Sequence, residues 1–443
     1  MRHLRLLGIT LPTLAFMAVA TAVSLPADNL DEARVPPYAV PDPLVFADGS
    51  PVRSVAEWRA RRRPELLNLF AELVYGRTPA GAPAEMHWAI TALDRQALHG
   101  TAVRKEVTIW FTAGERGPTL HLLIYQPAQP PQPGGWPIFL GLNFFGNHTV
   151  NSDSGITLSR AWMPASEPQH IVDHRATEAS RGTQAARWQI ETVLARGFAT
   201  ATAYYGDLCP DRPDGITEAV GALFHTPPAG QRRNDEWGAI GIWAWGLSRA
   251  MDYLASDAEI DSKRVAVHGH SRLGKAALWA GAQDERFALV ISNDSGSAGA
   301  KLMRRHFGSS IAYATDAFPF WWCRNYATFG GREDELPVDQ HELIALIAPR
   351  AVQVGSASDD HRADPHGEFL SVLHAEPVYR LYGRAGLGVT AMPQTGDAAL
   401  GDGLAYHLRS GVHDITPADW HYYLAFADRE LRRERPASPC PTP

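Results

Sequence analysis

The chain has 443 residues, of which 45% are hydrophobic and 20% charged, a composition typical of a globular protein with a large buried core. Its formal net charge is −7, which excludes the basic surface that nucleic-acid binding needs, so we expect no nucleic-acid partner. Three cysteines, Cys209, Cys323 and Cys440, are too few for a disulfide framework. A Cys209–Cys323 bridge and two buried thiols are both compatible with the sequence.

The amino terminus has the pattern of an export signal. Basic residues precede an apolar run over residues 6–23, and Ala20-Thr21-Ala22 offers the small residues of a cleavage site. A retained membrane anchor is the alternative, which Pro12 and the cleavage-like site disfavour. We therefore expect a periplasmic or secreted protein with no membrane span in the mature chain. The predicted division is a signal peptide over 1–22, a catalytic domain over 23–430 and a Pro-rich tail over 431–443.

Helix signals come first in the mature chain. Ser54-Val-Ala-Glu57 is a capping box, and Pro64 can begin a second helix from Glu65 to Tyr75. These helices precede the predicted strands, so we expect an N-terminal helical decoration. β-Branched and aromatic residues with partial alternation then predict three strands, over Met86 to Leu93, Val103 to Thr112 and Thr119 to Tyr125.

Strands and helices alternate from about Ile138 to the end, which indicates an α/β protein with a mostly parallel sheet covered on both faces. The run from Pro137 to Asn143 is apolar throughout, as in a strand buried on both sides. Further strands are predicted at Phe198–Tyr204, from Val265, at Phe287–Ser292 and at Arg350–Gly355, with helices at Gln184–Arg196, Asp235–Leu254 and His341–Ile347.

A serine lies where the strand from Val265 turns sharply into a small-residue helix. Serine hydrolases place their nucleophile on such a turn, so we predict Ser271 as the nucleophile. Gly269 allows the sharp turn, and Gly274 allows the helix to pack close to neighbouring strands. Leu273 stands where the G-x-S-x-G motif has its second glycine, so a structural serine is the alternative.

Acyl transfer by serine also needs a base, an acid that orients the base, and donors for the oxyanion. In the α/β-hydrolase fold, a three-layer sandwich, these residues follow the chain order serine, acid, histidine. Ser271, then Asp294 or Asp360, then His413 has this order. Both aspartates follow predicted strands, and His413 precedes a helix that begins at Thr416-Pro417.

Each of these residues has a structural alternative. Asp294 can be a turn residue, and Asp360 can cap the following turn. For the histidines beside the nucleophile, His268 and His270, we predict packing roles. An acidic tract can be read as a metal cluster, but it is equally typical of a solvated loop, so we expect no metal and no other cofactor. The residues of that tract are Asp359, Asp360, His361, Asp364 and His366.

Four segments of the chain are to be considered together: Gly269-His-Ser-Arg-Leu-Gly-Lys275, Ser292-Asn-Asp-Ser-Gly296, Leu336-Pro-Val-Asp-Gln-His341 and His413-Asp-Ile-Thr-Pro-Ala-Asp-Trp420. Together they resemble the glucuronoyl esterases, carbohydrate esterase family 15, in their bacterial form. The resemblance extends from about Pro37 to Glu430, essentially the whole mature chain. Such enzymes cleave the ester between the carboxyl of a (4-O-methyl-)glucuronic acid on xylan and an alcohol of lignin. The resemblance therefore implies a serine esterase that acts on glucuronoxylan or a lignin–carbohydrate ester. From the amino-terminal signal we expect the enzyme to be exported, and we expect a monomer.

Carried over by position, the resemblance implies a role for each residue of the site. Ser271 is the nucleophile, His413 the base and Arg272 the oxyanion donor, whereas Lys275 meets sugar hydroxyls. The family's acid occurs at two places, and this chain has an aspartate at both. We favour Asp294 as the principal acid, since it matches the commoner place, with Asp360 as its support.

Two positions depart from the family pattern. Ser309 replaces a sugar-contacting glutamate, and Arg362 stands where a sugar-stacking tryptophan is common. Both changes concern the sugar and leave the ester chemistry untouched. The alternatives are therefore an esterase for another uronate or a small aromatic ester, and a carbohydrate-binding protein with a vestigial site. The intact serine, histidine and aspartates argue against the latter.

Overall fold

The computed structural model describes residues 28–131, 133–224 and 232–432. The predicted signal peptide lies outside the described residues, as do Cys440 and all but the start of the predicted Pro-rich tail. Among the described residues, no helix is long and apolar enough to cross a membrane. Cys209 and Cys323 are buried free thiols, so they do not form the bridge that the sequence allowed.

A ten-stranded sheet runs through the protein. Its strands are β1 (His87–Gln96), β2 (Ala102–Trp110), β3 (Thr119–Pro127), β4 (Trp136–Asn143), β5 (Ala199–Tyr204), β6 (Ile260–His270), β7 (Leu289–Asn293), β8 (Ala351–Ala357), β9 (Asp397–Leu400) and β10 (Leu404–Arg409). The strand order is β1-β2-β3-β5-β4-β6-β7-β8-β10-β9. The six central strands, β5-β4-β6-β7-β8-β10, pair in parallel. Antiparallel strands extend the sheet at both edges. The predicted mostly parallel sheet is confirmed.

Helices cover both faces of the sheet. They are α1 (Val55–Glu57), α2 (Arg63–Leu73), α3 (Ala97–Gly100), α4 (Ala185–Trp188), α5 (Ile190–Ala195), α6 (Tyr205–Leu208), α7 (Gly221–Phe224), α8 (Ala239–Leu254), α9 (Arg272–Gln283), α10 (Ile311–Ala317), α11 (Arg324–Ala327), α12 (Gln340–Ala345), α13 (Pro365–Leu381) and α14 (Pro417–Leu431). Successive β6 side chains enter different cores: Val265 and Val267 pack with α8 and α9, and Ala266 packs with α14. This alternation produces the three layers.

The N-terminal helices lie before the sheet in the chain, as predicted. The Ser54 side chain accepts a hydrogen bond from the Glu57 amide at 3.1 Å and so caps α1. The continuous helix predicted over 184–196 is wrong, because the chain breaks between α4 and α5 at Gln189. That residue has a φ of 47°, the left-handed conformation, which ends an α-helix.

Candidate active site

Ser271 occupies the turn between β6 and α9, with φ 57° and ψ −128°, a conformation that non-glycine residues rarely adopt. Its amide donates to the Asn293 carbonyl at 2.9 Å, which ties the turn to β7. Gly269 is needed for the turn, since a Cβ there would lie 2.0 Å from the Leu273 carbonyl oxygen. At Gly274 the nearest atoms to a Cβ would be 3.1 Å away, so α9 packs closely here as well.

His413 lies in the loop after β10, where its Nδ1 is 2.5 Å from Oδ2 of Asp360. Asp360 follows the end of β8 and is largely buried, whereas the His413 side chain is 46% exposed. A carboxylate on Nδ1 selects the tautomer that leaves Nε2 free to accept a proton. The Asp360–His413 pair therefore has the arrangement of a general base and its orienting acid.

Asp294 has different partners from those expected of the principal acid. Its Oδ2 accepts from Arg409 at 3.1 Å, and its Oδ1 accepts from the Ala357 amide at 2.8 Å. Burial raises the pKa of the Asp294 carboxyl well above its ordinary value. The carboxylate bonded to His413 in this structure is thus Asp360 and not Asp294, whose oxygens accept from Arg409 and a backbone amide. The three side chains are nevertheless close together: one oxygen of Asp294, one oxygen of Asp360 and one ring nitrogen of His413 all lie within 4.8 Å of one another.

Asp294 reaches the His413 loop through Arg409. The same guanidinium that binds Asp294 also donates to the Val412 carbonyl at 2.9 Å, next to His413. Its Nε donates to Asp419 on α14 at 2.8 Å. Asp294 thus supports the loop that carries the histidine.

Arg272 is the first residue of α9, directly after the serine. Its Nη1 donates to Oδ2 of Asp211, and its guanidinium carbon lies 4.7 Å from the centre of the Trp321 ring. Within the described residues, the Nε of Arg272 is buried and has no hydrogen-bond partner. The Arg272 side chain also lines the pocket that contains Ser271, where its exposed N–H groups are suited to an oxygen that gains negative charge.

Lys275 lies one helical turn further and is almost completely buried. Its ammonium donates to the Ser295 carbonyl. Burial lowers the pKa of Lys275 to about 7. This lysine lines the same pocket as Ser271, where its remaining donors can meet polar groups of a ligand.

A pocket of about 320 Å³ unites the predicted residues. It is lined by Ser271, Arg272, Lys275, Asp294, Ser309, Asp360, Arg362 and His413, together with the aromatic side chains of Tyr313, Phe318, Trp321 and Trp322. A larger cavity, of about 1280 Å³, lies beside β1 to β3 and contains none of these residues. We place the active site in the smaller pocket, because it brings Ser271 together with the His413–Asp360 pair.

Ser309 and Arg362 form the rim of this pocket. The Ser309 carbonyl accepts a hydrogen bond from the buried Lys301 ammonium at 2.6 Å. Arg362 donates to the Tyr313 hydroxyl at 3.3 Å, and its guanidinium carbon lies 5.3 Å from the centre of that ring. A cation on an aromatic ring thus stands where the family commonly has tryptophan.

The first described residues pack against this rim. Asp28 pairs with the Nε of Arg362 at 3.3 Å, and Asn29 forms an isolated bridge with Gly308. Glu32 pairs with Arg305 at 2.7 Å. The segment that follows the predicted signal peptide therefore packs against residues of the pocket rim and their neighbours.

The packing roles predicted for the histidines beside Ser271 have support. His268 is buried, with its ring centre 5.2 Å from those of Trp188 and Trp420. His270 is buried too, with Nδ1 2.6 Å from Oδ1 of Asn293 and its ring centre 4.5 Å from that of His413.

The side chains of the acidic tract named above do not converge on one point, as the ligands of a metal ion do. Asp364 pairs with Arg305 at 2.9 Å, and the Nδ1 of His366 lies 3.2 Å from Glu32. Asp360 contacts His413 instead.

Several residues of the site were missed from the sequence. Asp211 and Trp321 contact Arg272, and Arg409 contacts Asp294. For Asp211 a signal existed, because it comes soon after the strand that ends at Tyr204, the kind of position that pointed to the other aspartates. Trp321 and Arg409 had no comparable signal.

A strained serine after a parallel strand and a histidine paired with an aspartate on this fold define a hydrolase of the α/β-hydrolase class. The family profile described as "Glucuronyl esterase, fungi" matches residues 231–383. Carbohydrate esterase MZ0003, from an unknown prokaryotic organism, is 45% identical over 404 residues, 91% of this chain and 92% of that protein. The chain belongs to the glucuronoyl esterases, carbohydrate esterase family 15. It is therefore a carboxylic ester hydrolase, and the interpretation as a vestigial binding protein is wrong.

Solved structures show the same relationship. The structure of a promiscuous CE15 esterase from the marine bacterial metagenome resembles that of this chain, with a TM-score of 0.85 and 45% sequence identity. The match covers 91% of this chain and all of that chain. The structure of a glucuronoyl esterase from Solibacter usitatus is similar with a TM-score of 0.84, at 43% identity, over 90% of this chain and 99% of that chain.

Proposed function

We propose that the enzyme hydrolyses esters of glucuronic or 4-O-methyl-glucuronic acid on xylan through an acyl-enzyme formed on Ser271. His413 removes the serine proton and gives it to the leaving alcohol, and Asp360 holds the His413 tautomer. In the second step His413 takes a proton from the water that attacks the acyl-enzyme and passes it to the Ser271 oxygen, which releases the acid. Arg272 stabilises the oxyanion with its side chain and amide. The observation that carries this proposal is the 2.5 Å contact between His413 and Asp360, in a pocket that also contains the strained Ser271.

The sugar part of the substrate is assigned to the polar side of the pocket. Lys275 offers donors to sugar hydroxyls, and Ser309 and Arg362 lie on the rim that faces the sugar. The aromatic side chains of the pocket supply a surface for the sugar ring or for an aromatic alcohol. These contacts favour an ester that joins a hydroxyl-rich acid to an apolar alcohol, which is the chemistry of a lignin–carbohydrate ester.

A second candidate is a broader esterase for another uronate or a small aromatic ester. Two observations favour it: Arg362 and Ser309 replace the usual sugar contacts, and a solved relative at 45% identity is described as promiscuous. Broad activity needs no change in Ser271, His413 or Arg272, because those residues act on the ester and not on the sugar.

The test is hydrolysis of three esters by the wild-type protein and by Ser271→Ala. Benzyl glucuronate is expected to be the best substrate, and benzyl galacturonate and an acetyl ester the poorer ones. Similar kcat/KM for all three would support the broader esterase, and no hydrolysis of the glucuronate would contradict the proposal. Activity that survives Ser271→Ala would indicate a contaminating enzyme.

We also propose export and a monomeric mature enzyme that begins near Val23. The apolar run and the small residues directly before Val23 support removal of residues 1–22. N-terminal sequencing of protein from the periplasm and the medium tests this, and a cytoplasmic protein that retains Met1 would contradict it.

A further inference from the structure

Asp211 lies behind the oxyanion arginine at a point where three elements meet. It follows α6, near the carboxyl end of β5, and its side chain is 4% exposed. Its Oδ2 accepts from Arg272 Nη1 and from the Tyr205 hydroxyl, the latter at 3.0 Å. Its Oδ1 accepts from the Trp321 indole at 2.8 Å. One buried carboxylate thus holds a guanidinium, a phenol and an indole.

We propose that Asp211 is a positioning residue that fixes the Arg272 guanidinium for stabilisation of the oxyanion. The proposal rests on the proposed role of Arg272. An arginine side chain has large rotamer freedom, and a donor stabilises a transition state fully only when it is already oriented. Asp211 engages Nη1 and so holds the guanidinium in one orientation, while Arg272 still lines the pocket that contains Ser271.

The aromatic wall strengthens this orientation. Trp321 lies against the Arg272 guanidinium at 4.7 Å, and Phe318 stacks on Trp321 with ring centres 3.9 Å apart. Because Asp211 binds both Arg272 and the Trp321 indole, it holds the cation and the ring in one arrangement. The carboxylate at one edge of the guanidinium and the aromatic ring on its face together restrict its rotation.

Charge alone predicts the opposite effect. A carboxylate next to Arg272 weakens the positive field at the oxyanion, so its removal would speed the reaction if the field were decisive. If orientation is decisive, its removal slows the reaction. Asp211 contacts Arg272, Tyr205 and Trp321, which favours a role in orientation. The sign of the change in kcat on removal of the carboxylate distinguishes orientation from the effect of charge.

The experiment compares Asp211→Asn, Arg272→Gln and the double variant. The substrate is any ester that the wild type hydrolyses and Ser271→Ala does not, so the result does not depend on the sugar. Asp211→Asn is expected to lower kcat roughly 10-fold or more, with KM within about twofold, since orientation acts in the transition state. In the Arg272→Gln background the same change should have an effect within about twofold. An equal loss in both backgrounds, an unchanged kcat or an increased kcat would overturn the proposal.

Two further variants separate positioning from folding. Asp207→Asn removes a nearby carboxyl that contacts the His121 amide and not Arg272, and it should keep wild-type kcat. Asp211→Glu retains the charge but displaces it by one methylene, so it should also lower kcat. A Glu variant with wild-type kcat would overturn the proposal even if Asp211→Asn fails to fold.

Discussion

At the scale of single residues, Ser271 and His413 carry the chemistry. We expect Ser271→Ala and His413→Ala each to lower kcat roughly 10³-fold or more, because members of a triad act as a unit. Steady-state kinetics with a measured thermal midpoint separates chemistry from folding. A folded variant with near-native turnover would remove that residue from the mechanism.

Arg272 acts on the charge that develops in the transition state. Arg272→Gln should lower kcat about 10²-fold or more, by analogy with the loss of an oxyanion donor, and raise KM less. The measurement is kcat and KM on the same ester. If only KM changes, Arg272 binds the ground state and the transition state equally.

Asp360 and Asp294 should differ in their effects. Asp360→Asn removes the carboxylate on His413 and should lower kcat by at least roughly 10²-fold, since an amide can select the wrong tautomer. Asp294→Asn should cost less, because it acts through Arg409. The kcat values of both single variants and the double variant measure the coupling. If Asp294→Asn is as inactive as Ser271→Ala and Asp360→Asn resembles the wild type, this assignment is reversed.

At the scale of elements, the turn between β6 and α9 depends on two glycines to different degrees. Gly269→Ala places a methyl group 2.0 Å from a backbone oxygen, which forces the turn to open, whereas at Gly274 the closest distances are 3.1 Å. Gly269→Ala should therefore lower the thermal midpoint far more than Gly274→Ala. Thermal unfolding of the two variants, followed by circular dichroism, provides the comparison. Equal midpoints would show that the turn is not constrained at Gly269.

The strands and the nucleophile turn were predictable because their signals are local. Apolar runs predicted β4 and β6, and the small residues after Ser271 predicted α9. The break at Gln189 was missed because no glycine or proline marks it. The partner of His413 was not predictable, since Asp294 is occupied by Arg409, 115 residues away in the sequence. Contacts of this kind depend on the assembled sheet, in which β8 and β10 are neighbours.

At the scale of the whole molecule, a buried carboxyl links stability to pH. Glu368 on α13 accepts from the Gly296 amide at 2.8 Å and from the Ser356 hydroxyl at 2.6 Å, and burial raises its pKa to about 7. Because this folded-state pKa exceeds the ordinary value, the contribution of Glu368 to stability is fully present below about pH 4.5 and decreases as the pH rises through 7.

Glu368→Gln removes this titration. The free energy of unfolding of the wild type, relative to this variant, should therefore fall by on the order of 2–3 kcal/mol between pH 4.5 and 8. Chemical denaturation at several pH values measures the difference, with the exposed Glu115→Gln as the control for loss of one carboxyl. A difference that is constant with pH would show that Glu368 does not titrate in this range.

The contact of the first described residues with the pocket rim has a practical and biological consequence. If export removes residues 1–22, a new charged amino terminus arises only a few residues before Asp28, which pairs with Arg362. Maturation would then place the new terminus a few residues from a contact with the pocket rim. A fusion tag at that end would stand near the pocket and hinder a polymeric substrate more than a small ester, whereas a tag after α14 would not.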